Sequence, residues 1–242
     1  MKYIRLISLF VFVMAVFGAT VRQGGYAAPP AHPMDDYEYA LMIPVVFVDN
    51  RLVGLFSDPF DSALGWEPML EDEASAQIID GEYALSHMVD NRVVRSSSPL
   101  EAVPSTYIVE ADVRYIYPEG VTQTDNRFGL FFDWSGNNQL YMFVINPDSQ
   151  SFWLYKYDAE ENPLGGWVML ALGGSPAIKP GGAINHLSVE RYGSLIRLFA
   201  NRTLLRELTD TTYSGGKVGV EGWSFEAPAE FRFDNFRVYE LP

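Results

Sequence analysis

Cysteine is absent from this chain of 242 residues. Disulfides, cysteine-ligated metals and thiol catalysis are therefore excluded. Histidine is scarce as well, since the sequence has only His32, His87 and His186, and none of them has the spacing of a zinc site. The sequence also lacks a serine-elbow motif, a phosphate-loop motif and an internal repeat. Without disulfides, an exported domain depends on packing or bound ions, which is more usual in bacteria than in animals.

Basic residues are few, with 17 against 31 acidic ones, and the formal net charge is −14. Lys2, Arg5 and Arg22 lie in the first 27 positions, which contain no acidic residue. The acidic surface of the remaining chain repels phosphate backbones and anionic membranes. We therefore predict no nucleic-acid partner. Neutral sugars, cations and basic partners stay open, and so does the interpretation that the charge serves solubility alone.

The first 27 residues are typical of a secretory signal peptide. Lys2 and Arg5 form its basic start, and residues 6–19 form an apolar run too short to span a bilayer comfortably. Small residues at Gly25 and Ala27 suit a signal peptidase, and Ala19 is a second cleavage candidate. No cysteine follows that would carry a lipid anchor. We predict a secreted or cell-envelope protein whose mature chain has no integral membrane segment; the alternative is an uncleaved anchor.

Residues 28–54 are predicted to be a linker, because three prolines and an acidic pair occupy its first nine positions. The apolar run 41–48, which contains Pro44, is either an edge strand of the domain or a linker segment that docks elsewhere. The folded domain is predicted to span residues 55–242.

Short apolar runs separated by two-residue turns fill this domain. Asp80-Gly81, Tyr192-Gly193 and Asn201-Arg202 are hairpin signals. Residues 107–116 and 127–134 alternate between two faces, as half-buried strands do. No helix of useful length is predicted after the signal. The pattern predicts an all-β fold, a two-sheet antiparallel sandwich with jelly-roll or Greek-key connections.

From about Phe56 to Leu241 the chain resembles the concanavalin A-like lectin and glucanase jelly rolls. The resemblance rests on the order of several stretches: Gly65-Trp66, Asp80-Gly-Glu-Tyr83, Tyr107-Ile-Val-Glu-Ala-Asp-Val-Arg114, Arg127-Phe-Gly-Leu-Phe-Phe132, Leu140-Tyr-Met-Phe-Val-Ile145, Asn185-His-Leu-Ser-Val-Glu190, Gly216-Lys-Val-Gly-Val220 and Phe233-Asp-Asn-Phe-Arg-Val238. It implies carbohydrate as the ligand class. The superfamily includes lectins, enzymes and adhesion modules, so the resemblance does not fix the function.

Two enzyme families have sequence motifs that this chain matches in part. Laminarinase-type glucanases carry Glu-x-Asp-x-x-Glu, and Glu110-Ala-Asp112 matches its start, but Tyr115 replaces the second glutamate. We therefore do not expect the paired-carboxylate chemistry of a retaining glycosidase. The 3-keto-disaccharide hydrolases are similar in the arrangement of Asn185, Gly193 and Asn201. The stretch from Gly219 to Trp223 departs from their pattern, so this activity is kept as the alternative.

Aromatic residues alternate along one predicted strand. Trp153, Tyr155 and Tyr157 share one face, with Phe152 and Leu154 on the other. If the latter pair lies in the core, the three rings form an outward ladder that can stack on sugars. The opposing interpretation is a second apolar layer beneath a loop.

Six polar residues are predicted to lie on the same sheet face as this ladder, where they would recognise sugar hydroxyls. The opposing interpretation is a solvated face with cross-strand ion pairs. The residues are Glu110, Asp112, Arg114, Arg127, Asp133 and Tyr141.

Oxygen ligands near the first and last strands suggest a structural calcium ion. Asp58, Asp61 and Asp234, with Asn235 beside the last, are its candidate ligands. Ordinary turn chemistry is the alternative explanation for them. Asn201-Arg-Thr203 matches a glycan acceptor but also fits a hairpin turn.

The sequence therefore predicts an exported, lectin-like domain that binds carbohydrate without catalysis. The alternatives are a glycoside hydrolase of the 3-keto type and a structural or adhesion module of the cell envelope.

Overall fold

A computed structural model describes residues 9–11, 45–47, 52–62, 65–66, 68–136, 139–158 and 166–242. The chain divides into two units, Met1–Arg51 and Leu52–Pro242. In the first unit, the described residues form two short antiparallel strands, β1 (Leu9–Val11) and β2 (Val45–Phe47). Strand β2 falls within the apolar run 41–48. The predicted signal peptide and most of the predicted linker lie outside the described residues.

The second unit is built from strands alone in its described part. In chain order these are β3 (Val53–Asp58), β4 (Met69–Leu70), β5 (Ala74–Ile79), β6 (Glu82–His87), β7 (Arg92–Ser97), β8 (Thr106–Ile116), β9 (Arg127–Trp134), β10 (Gln139–Asn146), β11 (Ser151–Asp158), β12 (Trp167–Gly174), β13 (Asn185–Tyr192), β14 (Leu195–Ala200), β15 (Thr203–Thr209), β16 (Lys217–Ser224) and β17 (Ala229–Glu240). Every pairing between them is antiparallel. The predicted all-β class is confirmed.

Two sheets form the layers. The six-stranded sheet has the order β12-β11-β10-β9-β16-β7, and the nine-stranded sheet has the order β15-β14-β13-β8-β17-β6-β5-β4. Strand β17 pairs with β8 along one side; along the other it pairs first with β6 and then with β3. Consecutive strands β8 and β9 belong to different sheets, so the chain crosses from one layer to the other between them.

The core lies between the layers and follows the alternation of the strands. Along β8, residues at odd positions from Tyr107 to Tyr115 are buried and the residues between them are half-buried. Rings from both sheets meet there; Phe128 stacks on Phe231 with 5.1 Å between ring centroids. Each such ring contributes about 2 kcal/mol by leaving water.

Tight turns of the predicted kind close the hairpins. Asp80 and Gly81 both have positive φ between β5 and β6, and Asn201 and Arg202 both have positive φ between β14 and β15. Two consecutive residues with positive φ match the right-handed twist of the flanking strands. The Asn201 side chain donates to the Asn185 side chain at 2.8 Å and accepts from the His186 amide at 3.0 Å. Asn201 thus has a structural role as a turn residue, and its side chain links the turn to Asn185 at the start of β13.

Candidate functional site

The aromatic ladder lies on the outer face of the six-stranded sheet. Phe152 and Leu154 are buried in the core, and Trp153, Tyr155 and Tyr157 point away from it and are half-buried. The predicted orientation of strand β11 is therefore confirmed. The three rings are not isolated, because further half-buried aromatic residues from other strands join them, namely Trp134, Trp167 and Trp223.

A second apolar layer supports these rings. Phe131, Leu140, Met142 and Val144 are completely buried on this outer face, although it faces away from the main core. The alternation of β10 explains this: Leu140, Met142 and Val144 face outward while Phe143 faces the core. The ladder thus has an apolar floor, as its alternative interpretation expected, and a half-exposed rim.

This outer face is concave. Trp167 on β12 and Trp223 on β16 are separated by four strand spacings, about 19 Å in a flat sheet. Their rings nevertheless stack with centroids 5.4 Å apart. Tyr157 on β11 and Arg95 on β7 span the same number of spacings, and the guanidinium lies 6.0 Å from the ring. Long side chains alone do not close such gaps, so the sheet curves. We call this surface the concave aromatic face. It comprises the half-buried aromatic rings, the buried apolar residues beneath them, and the side chains of Arg95 and Arg127.

Arg127 is embedded among the rings of the concave aromatic face. Its guanidinium lies 4.0 Å from the ring centroid of Trp153 and 4.6 Å from that of Phe225. Nη1 donates to the Tyr155 hydroxyl at 2.7 Å, and the buried Nε has no hydrogen-bond partner. Among the described residues, no carboxylate pairs with Arg127. Three aromatic rings thus lie within 6 Å of this cation, since the Trp223 ring is 5.8 Å away, and no carboxylate of the described residues compensates its charge.

A second arginine, Arg95, is held by a buried carboxylate. Its Nε donates to Glu221 Oε2, and its guanidinium lies 5.5 Å from the Trp167 ring. Glu221 is completely buried and its Oε1 has no partner. Burial raises the pKa of Glu221 to about 7, and the charge of Arg95 only partly opposes that rise. Neither Arg95 nor Glu221 is among the site residues predicted from the sequence. The available signal was an acidic residue beside Val220, within a strand that is otherwise almost apolar.

A cleft of about 610 Å³ adjoins the concave aromatic face. Arg95, Trp134 and Lys217 line it, so it is continuous with the rings and the arginines. Ser98 also lines it; this buried hydroxyl and the indole nitrogen of Trp134 have no hydrogen-bond partner. Glu101 contributes an exposed carboxylate to the wall. Aromatic, hydroxyl and charged groups therefore converge at one end of the curved sheet.

Comparisons with solved structures find several proteins with a similar two-layer architecture. The carbohydrate-binding module CBM66 from Bacillus subtilis superposes with a TM-score of 0.56 at 16% identity, covering 73% of this chain and 96% of that one. The laminarinase catalytic domain from Thermotoga maritima gives 0.56 at 10% identity, covering 78% and 98%. The β-glucanase of Bacillus licheniformis gives 0.54 at 11% identity, covering 76% and 97%. The fold is a concanavalin A-like jelly roll. No family model and no curated protein matches the sequence.

Two residues assigned to the ladder face lie in the core of this jelly roll instead. Between β9 and β16 the register shifts, so that Phe132 and Asp133 together oppose one residue, and Asp133 has a φ of 53°. This β-bulge turns Asp133 inward and sends Trp134 outward, which reverses the predicted alternation. Tyr141 is buried as well, because it lies on the core-facing side of β10 and its ring stacks on Phe132.

Asp133 belongs to a buried ion pair at one end of the sandwich. Its Oδ2 lies 2.8 Å from Nε of Arg191, and its Oδ1 accepts from the Tyr107 hydroxyl at 2.8 Å and from the Gly215 amide at 3.0 Å. Burial raises the pKa of Asp133 to about 6 against the charge of Arg191. Gly216 next to it has a φ of 85°, and a Cβ there would lie 2.4 Å from the Trp134 carbonyl oxygen. The buried ion pair and these hydrogen bonds therefore stabilise the bulge.

Glu110, Asp112 and Arg114 lie on the outer face of the other sheet, because β8 belongs to the nine-stranded layer. Their predicted placement beside the ladder is wrong. His186 Nδ1 lies 2.8 Å from Asp112 Oδ1, and Nε2 lies 3.5 Å from Glu110 Oε2. The hydrogen bond to Asp112, followed by that to Glu110, raises the pKa of His186 to about 9. The groove beside them measures about 830 Å³, and its charges are mostly compensated by ion pairs, as the alternative interpretation expected.

The candidate calcium ligands make turn contacts. Asp58 is completely buried and its Oδ1 accepts from the Phe60 amide at 2.7 Å. Asp234 Oδ1 accepts from the Asn235 amide at 2.6 Å, while Asp61 is exposed. Burial raises the pKa of Asp234, and the neighbouring carboxylates of Asp112, Glu82 and Asp61 add to the rise. Within the described part of the chain, no group of three or more His, Cys, Asp or Glu side chains could hold a metal ion.

Proposed function

We propose that this jelly roll is an exported, lectin-like domain that binds carbohydrate on its concave aromatic face, without catalysis. The observation that carries the proposal is the set of half-exposed rings of Trp153, Tyr155 and Trp223 across one curved sheet. A pre-formed surface of aromatic and apolar groups with a few fixed polar groups is what sugar recognition needs. The related folds named above as a carbohydrate-binding module and as glucanases support the same ligand class.

Export is part of this proposal and rests on the signal-like first 27 residues. Among the described residues, no helix has the length and apolar composition needed to cross a membrane. The net charge of −14 disfavours anionic membranes and nucleic acids as partners.

The hydrolase alternative has one observation in its favour, the raised pKa of Glu221 beneath the rings. A carboxyl group that titrates near neutrality suits a general acid. A retaining mechanism also needs a second carboxyl group about 5 Å away. The side chain that pairs with Glu221 is the cation Arg95, and burial is the main cause of the raised pKa of this carboxyl group. Binding without hydrolysis is therefore the function that this geometry supports best.

Affinity electrophoresis against a polysaccharide panel tests the proposal. The panel contains laminarin, mixed-linkage β-glucan, xylan, pectin, chondroitin sulfate and mucin. We expect retardation of the wild-type protein by at least one of them and a loss of about 2 kcal/mol in affinity for Trp153→Ala, as for a central aromatic contact. Tyr192→Ala is the matched control, because Tyr192 is 39% exposed and belongs to the other sheet. Absence of retardation by every polymer, or equal losses in both variants, would refute the proposal.

Release of reducing ends from the same polymers tests the hydrolase alternative. We expect none above the level of a Glu221→Gln variant. Wild-type activity that this variant abolishes would establish hydrolysis in place of simple binding.

A further inference from the structure

From the charges on the concave aromatic face we infer that its ligand is an acidic glycan, one whose sugars carry carboxylate or sulfate groups. The inference rests on the proposed function and adds the chemical class of the sugar. It starts from the ion pairs of the described residues. Most basic side chains there pair with a carboxylate: Arg92, Arg95, Arg114, Lys156, Arg191, Arg197, Arg232 and Arg237. In a chain with nearly twice as many acids as bases, such pairing is expected.

Five described basic residues have no carboxylate partner. Lys179, Arg202 and Arg206 lie away from the concave side of the six-stranded sheet, whereas Arg127 and Lys217 both belong to it. Arg127 is half-buried beside the rings of Trp153 and Phe225, and Lys217 is exposed at the cleft. A partly desolvated guanidinium without a counter-ion is costly unless an anion is bound next to it. The fork of N–H donors of a guanidinium suits the paired oxygens of a carboxylate or sulfate.

Arg95 lies between these two cations along the strands. Trp223 is in register with Arg127, Glu221 with Arg95, and Lys217 lies six residues from Trp223 on the same strand. At about 3.3 Å per residue, the three cations span about 20 Å. Glu221 compensates Arg95 only in part at neutral pH, since burial raises the pKa of its carboxyl group to about 7. Glu101 also lines the cleft and contributes one negative charge. The row therefore has an excess of positive charge.

The carboxylates of the groove on the other sheet lie far from this row. The ion-paired carboxylates Glu110 and Asp112 lie on the outer face of the opposite sheet, which a sandwich places about 10 Å farther away. The Debye length at physiological ionic strength is about 8 Å, so their field is screened. A nucleic acid, with its denser charge, is disfavoured by the net charge of −14. The rings favour a polymer with extended apolar faces and sparse charge, which is an acidic glycan.

Matched polymers that differ only in charge test the inference by isothermal titration calorimetry. Polygalacturonate is compared with fully methyl-esterified pectin, and chondroitin sulfate with unsulfated chondroitin, to distinguish carboxylate from sulfate. We expect the charged member of at least one pair to bind about tenfold to a hundredfold more tightly, as for a charge-assisted hydrogen bond. Its affinity should fall as salt rises. A single-stranded oligonucleotide is included and should bind more weakly.

Substitutions that each remove or replace one cation test which residues cause the preference for the charged polymer. Arg127→Gln should abolish the preference for the charged polymer, Arg127→Lys should keep part of it, and the exposed Lys217→Gln should weaken binding about twofold to fivefold. Arg206→Gln is the matched control, because Arg206 is an exposed and unpaired cation on β15 of the other sheet. Neutral and charged polymers bound equally well, or an effect of Arg206→Gln equal to that of Lys217→Gln, would overturn the inference and leave the proposed function intact. Tighter binding of the oligonucleotide would overturn it as well. Binding of no glycan at all would refute both.

Discussion

A buried histidine should make this jelly roll sensitive to mild acid. His87 on β6 is completely buried, and neither of its ring nitrogens has a hydrogen-bond partner. Its ring packs edge-on against Phe231, with centroids 5.4 Å apart. Burial, and secondarily the charge of Arg92, lowers the pKa of His87 from 6.5 to about 4. The folded protein therefore keeps this imidazole neutral in a pH range where the unfolded chain protonates it.

The sign and size of the effect follow from proton linkage. Because the unfolded chain binds the proton more tightly, stability falls as the pH drops below 6.5 and stops falling near 4. A shift of this size corresponds to about 3 kcal/mol at 1.36 kcal/mol for each pH unit. The typical free energy of unfolding of a domain is about 5–15 kcal/mol, so His87 alone removes a large share of it.

Urea unfolding of the wild type and of His87→Leu measures this contribution. Leucine removes both unsatisfied nitrogens. As the pH falls from 6.5 to 4, we expect the free energy of unfolding of the variant to rise by about 3 kcal/mol relative to that of the wild type. The difference between variant and wild type cancels the titration of other groups. A difference that does not change with pH would refute the reasoning.

His186→Gln is the control, since its titration has the opposite sign. Its partners raise the pKa of His186 to about 9, so its contribution is complete below 6.5 and disappears as the pH rises through 9. The difference in the free energy of unfolding between this variant and the wild type should therefore change as the pH rises above 6.5. Below pH 6.5 it should stay nearly constant until Glu110 and Asp112 become protonated.

Two further outcomes are expected, and both concern acidic residues. Burial raises the pKa of Glu221 from 4.5 to about 7, so this carboxyl group stabilises the fold most below 4.5, and about 3 kcal/mol is lost as the pH rises through 7. Glu221→Gln should remove that slope from urea unfolding curves, and an unchanged slope would contradict the assignment. If calcium binds at Asp58, Asp61 and Asp234, a chelator lowers the melting temperature of the wild type but not that of Asp61→Asn; equal melting with and without chelator would rule out the ion.

Local features of the fold could be predicted from the sequence because their causes are local. Asp80-Gly81 and Asn201-Arg202 form the predicted turns, since both pairs adopt positive φ next to strands of clear alternation. The faces of β8 and β11 follow from alternation in the same way. A strand with one apolar face leaves no choice about which side is buried.

Candidate site residues were misplaced where the cause is not local. The bulge at Asp133 depends on the register between β9 and β16, which are more than eighty residues apart, so alternation within β9 could not reveal it. Glu110 and Arg127 lie on strands that follow each other in the chain, but the chain changes sheet between them, so the two side chains do not share a face. Tyr141 lies in a strand that is apolar on both faces, and such a strand gives no signal of which face is the core.

The curvature of the six-stranded sheet could not be read from the sequence either, and it gives the concave aromatic face its chemistry. In a flat sheet, Trp167 and Trp223 would be separate exposed rings; here they stack at 5.4 Å and shield part of the floor from water. The same curvature brings Arg95 over the rings of Tyr157 and Trp167, which belong to strands four and five positions away, and it partly buries Arg127. Desolvation strengthens the attraction of these guanidinium groups for rings and for anions alike. The aromatic rings and the cations therefore act as one surface, so that removing a ring such as Trp153 should weaken the binding of charged sugars more than that of neutral ones.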